Sequence, residues 1–124
     1  MTQRIYIAGP MTADTRAEVR RHCRAFRDAW DALWDMGHWP HSPCGQSGHR
    51  VQLRRELAKM PPAEVEALYR RWLAYDFSYL DESDAVLLLP GWEQSRGAKA
   101  EWQRAVEWGM TIYMNLDEVP KNGV

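Results

Sequence analysis

Apolar residues recur along this chain in two periods, and the changes of period mark its elements. Ile5-Tyr6-Ile7-Ala8 is an unbroken apolar run stopped by Gly9-Pro10, and reads as a first strand beginning at Arg4. The period then becomes helical. Val19, Cys23, Phe26, Trp30, Leu33 and Trp34 form one stripe, with Thr12, Asp14 or Thr15 as its cap and Gly37 as its end. His38 to Ser42 reads as a second strand, weakly marked and closed by Pro43. Cys44 to Pro62 carries Gly45, Gly48, Pro61 and Pro62 and no clear period. Loops of that length are usually functional or mobile, so a lid or excursion is expected, holding a short helix from Val51 to Lys59. A further helix from Ala63 to about Leu80 turns Val65, Leu68, Trp72 and Leu73 inward. Asp84 to Leu89 is the central strand. Gly97 to Trp108 is a helix with Ala98, Trp102, Ala105 and Val106 inward, closed by Gly109, and Thr111 to Leu116 is the last strand.

Strands alternating with helices predict an α/β fold. The expected form is a flavodoxin-like, Rossmann-like three-layer domain spanning 1–124, with a four- to five-stranded parallel sheet and right-handed crossovers. So small a sheet gains from a partner subunit, so a homodimer or larger homo-oligomer is expected. The formal net charge of -1 supplies no field to recruit nucleic acid or an anionic membrane. No apolar run approaches a membrane span, and no signal-peptide stretch opens the chain. Two cysteines make no disulfide framework, which fits a cytoplasmic setting. Seven tryptophans are many for 124 residues. Most are expected in the core or a subunit interface, with one or two free to stack on a planar ligand.

The chemistry concentrates after the central strand. Pro90-Gly91 turns the chain, and Ser95-Arg96-Gly97-Ala98 leads into the helix that carries Glu101. In an open parallel sheet, ligands bind beyond the carboxyl ends of the strands, where helix N-termini point at them. Glu101 has Ala98 and Ala105 as helical neighbours. It is either a carboxylate placed for the helix dipole or a reacting group. Asp76 interrupts the stripe of Val65, Leu68, Trp72 and Leu80. It is either a helix-end residue facing solvent or a buried carboxyl whose charged form is disfavoured. Two carboxyl groups converging on one cleft is the arrangement that breaks a glycosidic bond: one attacks the anomeric carbon and the other protonates the leaving group.

His38, His41, Cys44 and His49 are close in sequence but fit no common zinc spacing, so no metal is expected; one of the histidines could instead line a ligand pocket. Arg50, Arg54, Arg55 and Lys59 form either a solvated helix face or a basic patch that closes over a phosphate. Trp92, after the Pro-Gly turn, and Trp39 are either packing residues or platforms for a base. Nothing resembles a Walker loop or a dinucleotide fingerprint.

Three segments together resemble the nucleoside 2-deoxyribosyltransferase-like superfamily, and in particular a small phage and bacterial branch of it. They are Ile5 to Met11, Asp76 to Val86, and Ser95 to Glu101. The resemblance covers nearly the whole chain except Cys44 to Pro62. It implies that Glu101 is a nucleophile forming a glycosyl-enzyme intermediate, that Asp76 is the general acid and base, and that Tyr6 orients the nucleophile. It also implies that Gly9, Pro10 and Met11 approach the sugar or its phosphate, with Gly97 in the loop before the nucleophile. Members that hydrolyse nucleoside monophosphates carry Ser six residues before the nucleophile, as Ser95 stands here, where free-nucleoside transferases tend to carry Asp. The expectation is cleavage of the N-glycosidic bond of a (deoxy)nucleoside 5′-monophosphate or nucleoside, by hydrolysis or transfer to another base, without a cofactor. The alternative is a nucleotide-binding module without chemistry.

Overall fold

The computed structural model describes residues 1–46 and 50–122. Its centre is a parallel pair, β1 (Arg4–Ala8) and β5 (Ala85–Leu88), in register from Ile5↔Ala85 to Ala8↔Leu88. β3 (Trp39–His41) adds to the free side of β1, and β6 (Thr111–Tyr113) to the free side of β5. The order is β3-β1-β5-β6, all parallel. Because side chains alternate along a strand, the sheet feeds two cores. Ile5, Ile7, Ala85 and Leu87 pack under Phe26, Ala29 and Leu33 of α1 (Arg16–Asp35). Tyr6, Ala8, Val86 and Leu88 face Leu80 of α4 (Pro62–Leu80) and Ala98 and Ala105 of α5 (Arg96–Glu107). This is a flavodoxin- or Rossmann-like three-layer fold. The chain leaves β1 in one direction and returns in β5 on the other side, so the carboxyl ends of these two strands form its switch point.

Local signals set the element ends. Thr15 caps α1, its Oγ1 accepting from Glu18 N at 3.1 Å. At Gly37, with φ of 88°, a Cβ would stand 2.4 Å from the carbonyl oxygen of Asn122, so only glycine lets the tail pass. The chain leaves β6 at Tyr113, short of the expected Leu116. There the Asn115 side chain accepts from Asp117 N and Glu118 reaches back to Asn115 N, and this capping box turns the backbone into a 3-10 turn over Leu116–Glu118.

Three expectations about depth are corrected. Trp102 and Val106 of α5 are exposed, because Glu101 takes the buried position that the apolar stripe assigned to them. Trp34 is exposed too, stacked on Trp30 with ring centres 5.4 Å apart. Val65, Leu68, Trp72 and Leu73 are only half-buried. At 19 residues α4 is about 28 Å long, whereas four-residue β5 spans only about 13 Å, so the first half of the helix runs beyond the sheet.

The segment from Cys44 to Pro62 holds more order than its composition predicts. After a distorted turn, α2 (Pro43–Gln46), and beyond the undescribed residues 47–49, β4 (Gln52–Leu53) pairs in parallel with β2 (Thr12–Ala13). Gln52 N also donates to Met11 O at 2.8 Å. The helix expected over Val51 to Lys59 shrinks to α3 (Arg54–Leu57), with Leu57 buried. Among the described residues no helix is long and apolar enough to cross a membrane.

Candidate active site

The alternation that buries Ile5 and Ile7 on one face of β1 turns Tyr6 to the other, towards α4 and α5. Ser95 caps α5 by accepting from Ala98 N at 3.2 Å, which sets the phase of that helix and points Glu101 inward. The Tyr6 hydroxyl donates to Glu101 Oε2. Asp76 arrives from the last turns of α4, and both carboxyl groups are 4% exposed.

Electrostatics couple the three. Burial, then the charge of Asp76, pushes the Glu101 carboxyl well above the ordinary glutamate range, while the Tyr6 hydrogen bond pulls the other way. Burial pushes the Tyr6 phenol up as well, with Glu101 and Asp76 adding to it. The Glu101 carboxyl therefore holds a proton more readily than a lone surface carboxyl does.

Met11, Thr12, Tyr69, Trp72, Leu73, Ser95, Arg96, Gly97 and Ala98 complete the cleft around Asp76 and Glu101. Of the ligand contacts expected from sequence, Met11, Ser95 and Gly97 therefore line it. Pro10 lies next door, with Thr12, Ser95, Gln94, Arg54 and His22 around an adjoining cavity of about 150 Å³. Gly9 is placed otherwise: a Cβ there would meet Leu89 at 3.0 Å and Phe26 at 3.2 Å, so its small size serves packing. Trp92 leans on Trp102, ring centres 5.4 Å apart, and is not among the lining residues.

The sequence reading left His41 undecided. It is the direct strand neighbour of Tyr6, its ring 5.8 Å from the Tyr6 ring and 4.0 Å from that of Tyr79. Burial lowers the His41 pKa and the charge of Asp76 opposes the shift. Its other side borders an open cavity of about 370 Å³ with Trp39, Arg4 and Glu82. His38, by contrast, is a brace: Nδ1 accepts from Gln3 N at 3.1 Å, and the opposite nitrogen, Nε2, lies 2.5 Å from Pro120 O. Cys44 turns to Cys23, Sγ to Sγ 3.9 Å. Among the described residues no three His, Cys, Asp or Glu side chains gather as a metal site requires; His49 lies outside them. The basic patch is partly neutralised, Arg54 pairing with Asp14 at 2.8 Å and Lys59 with Glu56 at 3.4 Å.

Fold and site together define a small parallel α/β protein with a buried carboxyl pair at the switch point of its sheet. The chain belongs to the DUF4406 family, a domain of unknown function, which matches residues 3–114. No curated protein matches it.

Proposed function

We propose that this protein cleaves the N-glycosidic bond of a nucleoside 5′-monophosphate or nucleoside by double displacement. The observation that carries the reading is Glu101, buried beside Asp76 and held by the Tyr6 hydroxyl at the carboxyl ends of β1 and β5. Double displacement uses Glu101 as the charged nucleophile and Asp76 as the proton donor. The Tyr6 hydrogen bond favours that distribution, because a donor stabilises the charged carboxylate it faces. A Glu101 oxygen attacks C1′, the C1′–N bond breaks, and its electron pair leaves on the base, which takes the Asp76 proton. Asp76 then removes a proton from water or from a second base, which attacks C1′ and frees Glu101, so the configuration is retained overall.

Ser95 supports a monophosphate over a free nucleoside. Its Oγ spends a lone pair on Ala98 N and keeps its own proton to donate, beside the backbone amides that open α5. An Asp in its place would repel a phosphate dianion.

The test is incubation with ribo- and deoxyribonucleoside monophosphates and nucleosides, with and without an acceptor base, followed by chromatography for free base. Base release is expected, lost in Glu101→Ala and depressed about 10²- to 10⁴-fold in Asp76→Asn. Absence of free base from every substrate would leave a nucleotide-binding module as the function.

A further inference from the structure

The cleft that holds Glu101 and Asp76 has free space of only about 30 Å³. That admits one or two waters, whereas sites for small organic ligands run to roughly 300–1,000 Å³. A nucleoside reaches Glu101 only if the walls part, and the structure shows where they are fastened. One wall is the middle of α4, with Tyr69, Trp72 and Leu73; the other is the start of α5, from Ser95 to Ala98.

Two Arg–carboxylate forks tie these helices. At the far end Arg104 grips Asp81 at 2.7 Å and 2.7 Å, beside the fully buried Leu80 and Ala105. At the mouth Arg96 grips Glu66 at 2.8 Å and 2.6 Å and lies over the Tyr69 ring, 4.7 Å from its centre. The mouth pair is the more exposed, with side chains 52% and 41% accessible against 30% and 32% for Arg104 and Asp81. Beneath it α4 is only half-buried. A solvent-facing ion pair holds weakly, so the far fork with its core is the fixed end and the mouth fork is the releasable one.

We propose that Arg96–Glu66 is a latch across the cleft, released when a substrate phosphate takes the place of the Glu66 carboxylate on Arg96. A guanidinium offers phosphate the same two-pronged contact that it offers a carboxylate. The exchange brings the anion beside the Ser95 hydroxyl while α4 is freed to swing from the mouth. The latch thus selects for a phosphorylated substrate and closes the site to water when none is bound. The choice of ligand rests on the proposed N-glycosidase function; the closure itself does not.

The test compares deoxyadenosine 5′-monophosphate with deoxyadenosine by calorimetry, in a Glu101→Gln background that prevents turnover, for the parent, Glu66→Gln and Arg96→Gln. Removing the closed state tightens binding of whatever still fits. Glu66→Gln is expected to tighten both ligands, by up to about fivefold. Arg96→Gln is expected to tighten the nucleoside while weakening the monophosphate roughly tenfold. A ligand-free measurement runs beside it: water-soluble carbodiimide should label Asp76 faster in Glu66→Gln than in wild type, read by mass spectrometry. Equal weakening of both ligands by Arg96→Gln, or unchanged Asp76 labelling, would overturn the latch. Base release with an unchanged labelling rate keeps the enzymatic reading and removes the latch. Faster labelling and the ligand split without base release do the reverse.

Discussion

Replacing Glu101 with glutamine should make the fold less sensitive to rising pH. Glu101 is 4% exposed, its charge is opposed by Asp76, and burial raises its folded pKa well above that of an unfolded glutamate. The folded state therefore binds the proton more tightly than the unfolded one. Its contribution to stability is full below the unfolded value and is lost as pH climbs through the raised folded value. Each unit of difference is worth about 1.4 kcal/mol, roughly 3–6 °C in Tm for a chain of this size. Glutamine keeps the shape, still accepts from the Tyr6 hydroxyl and carries no charge to desolvate. Thermal unfolding between about pH 5 and pH 9 should show wild type losing stability above the ordinary glutamate range. Glu101→Gln should stay flatter and overtake it at the alkaline end. Asp76→Asn should reduce the wild-type slope, since it removes the second cause of the shift. Parallel curves for wild type and Glu101→Gln would refute the electrostatic account of the site.

Three further outcomes follow from the geometry. Tyr6→Phe removes the donor to Glu101, a bond to a charged group worth about 1.5–3 kcal/mol, so base release should fall by about 10- to 150-fold. Its acidic pH limb should move upward, because the hydrogen bond that lowers the Glu101 pKa is gone; an unchanged limb counts against the contact. Burial and the neighbouring Cys23 push the Cys44 thiol up to about 12, so iodoacetamide at pH 8 should leave Cys44 largely unmodified in the native protein and label it on unfolding. Light scattering should find a dimer or larger assembly, since Trp34, Trp39 and Tyr75 expose apolar surface together with Trp102, Val106 and Trp108; a monomer at high concentration would rule that out.

The long elements were legible because period reports them. The runs at Ile5–Ala8 and Ala85–Leu89 and the three long helices lie where their patterns put them. Period reports a face, however, and not how deeply it is buried. Nothing in the spacing of Val65, Leu68 and Trp72 says that α4 outruns its sheet, or that Trp102 yields its place to Glu101. Asp76 and Glu101 were visible as interruptions in otherwise apolar stripes. The Tyr6–His41 neighbourhood was not, because it depends on which strands pair, and residues 35 apart carry no local signal of that. β2 and β4 were invisible for a simpler reason: two residues are too few to show any period.

The short ladder between Thr12–Ala13 and Gln52–Leu53 makes the loop-rich middle of the chain a lever on the carboxyl cleft. Met11 lines the carboxyl cleft, and its carbonyl accepts from Gln52 N. An insertion, deletion or substitution around residue 52 is transmitted to the cleft wall through backbone, without touching Tyr6, Asp76 or Glu101. The shape of the cleft can therefore change while the three side chains that meet in it stay as they are.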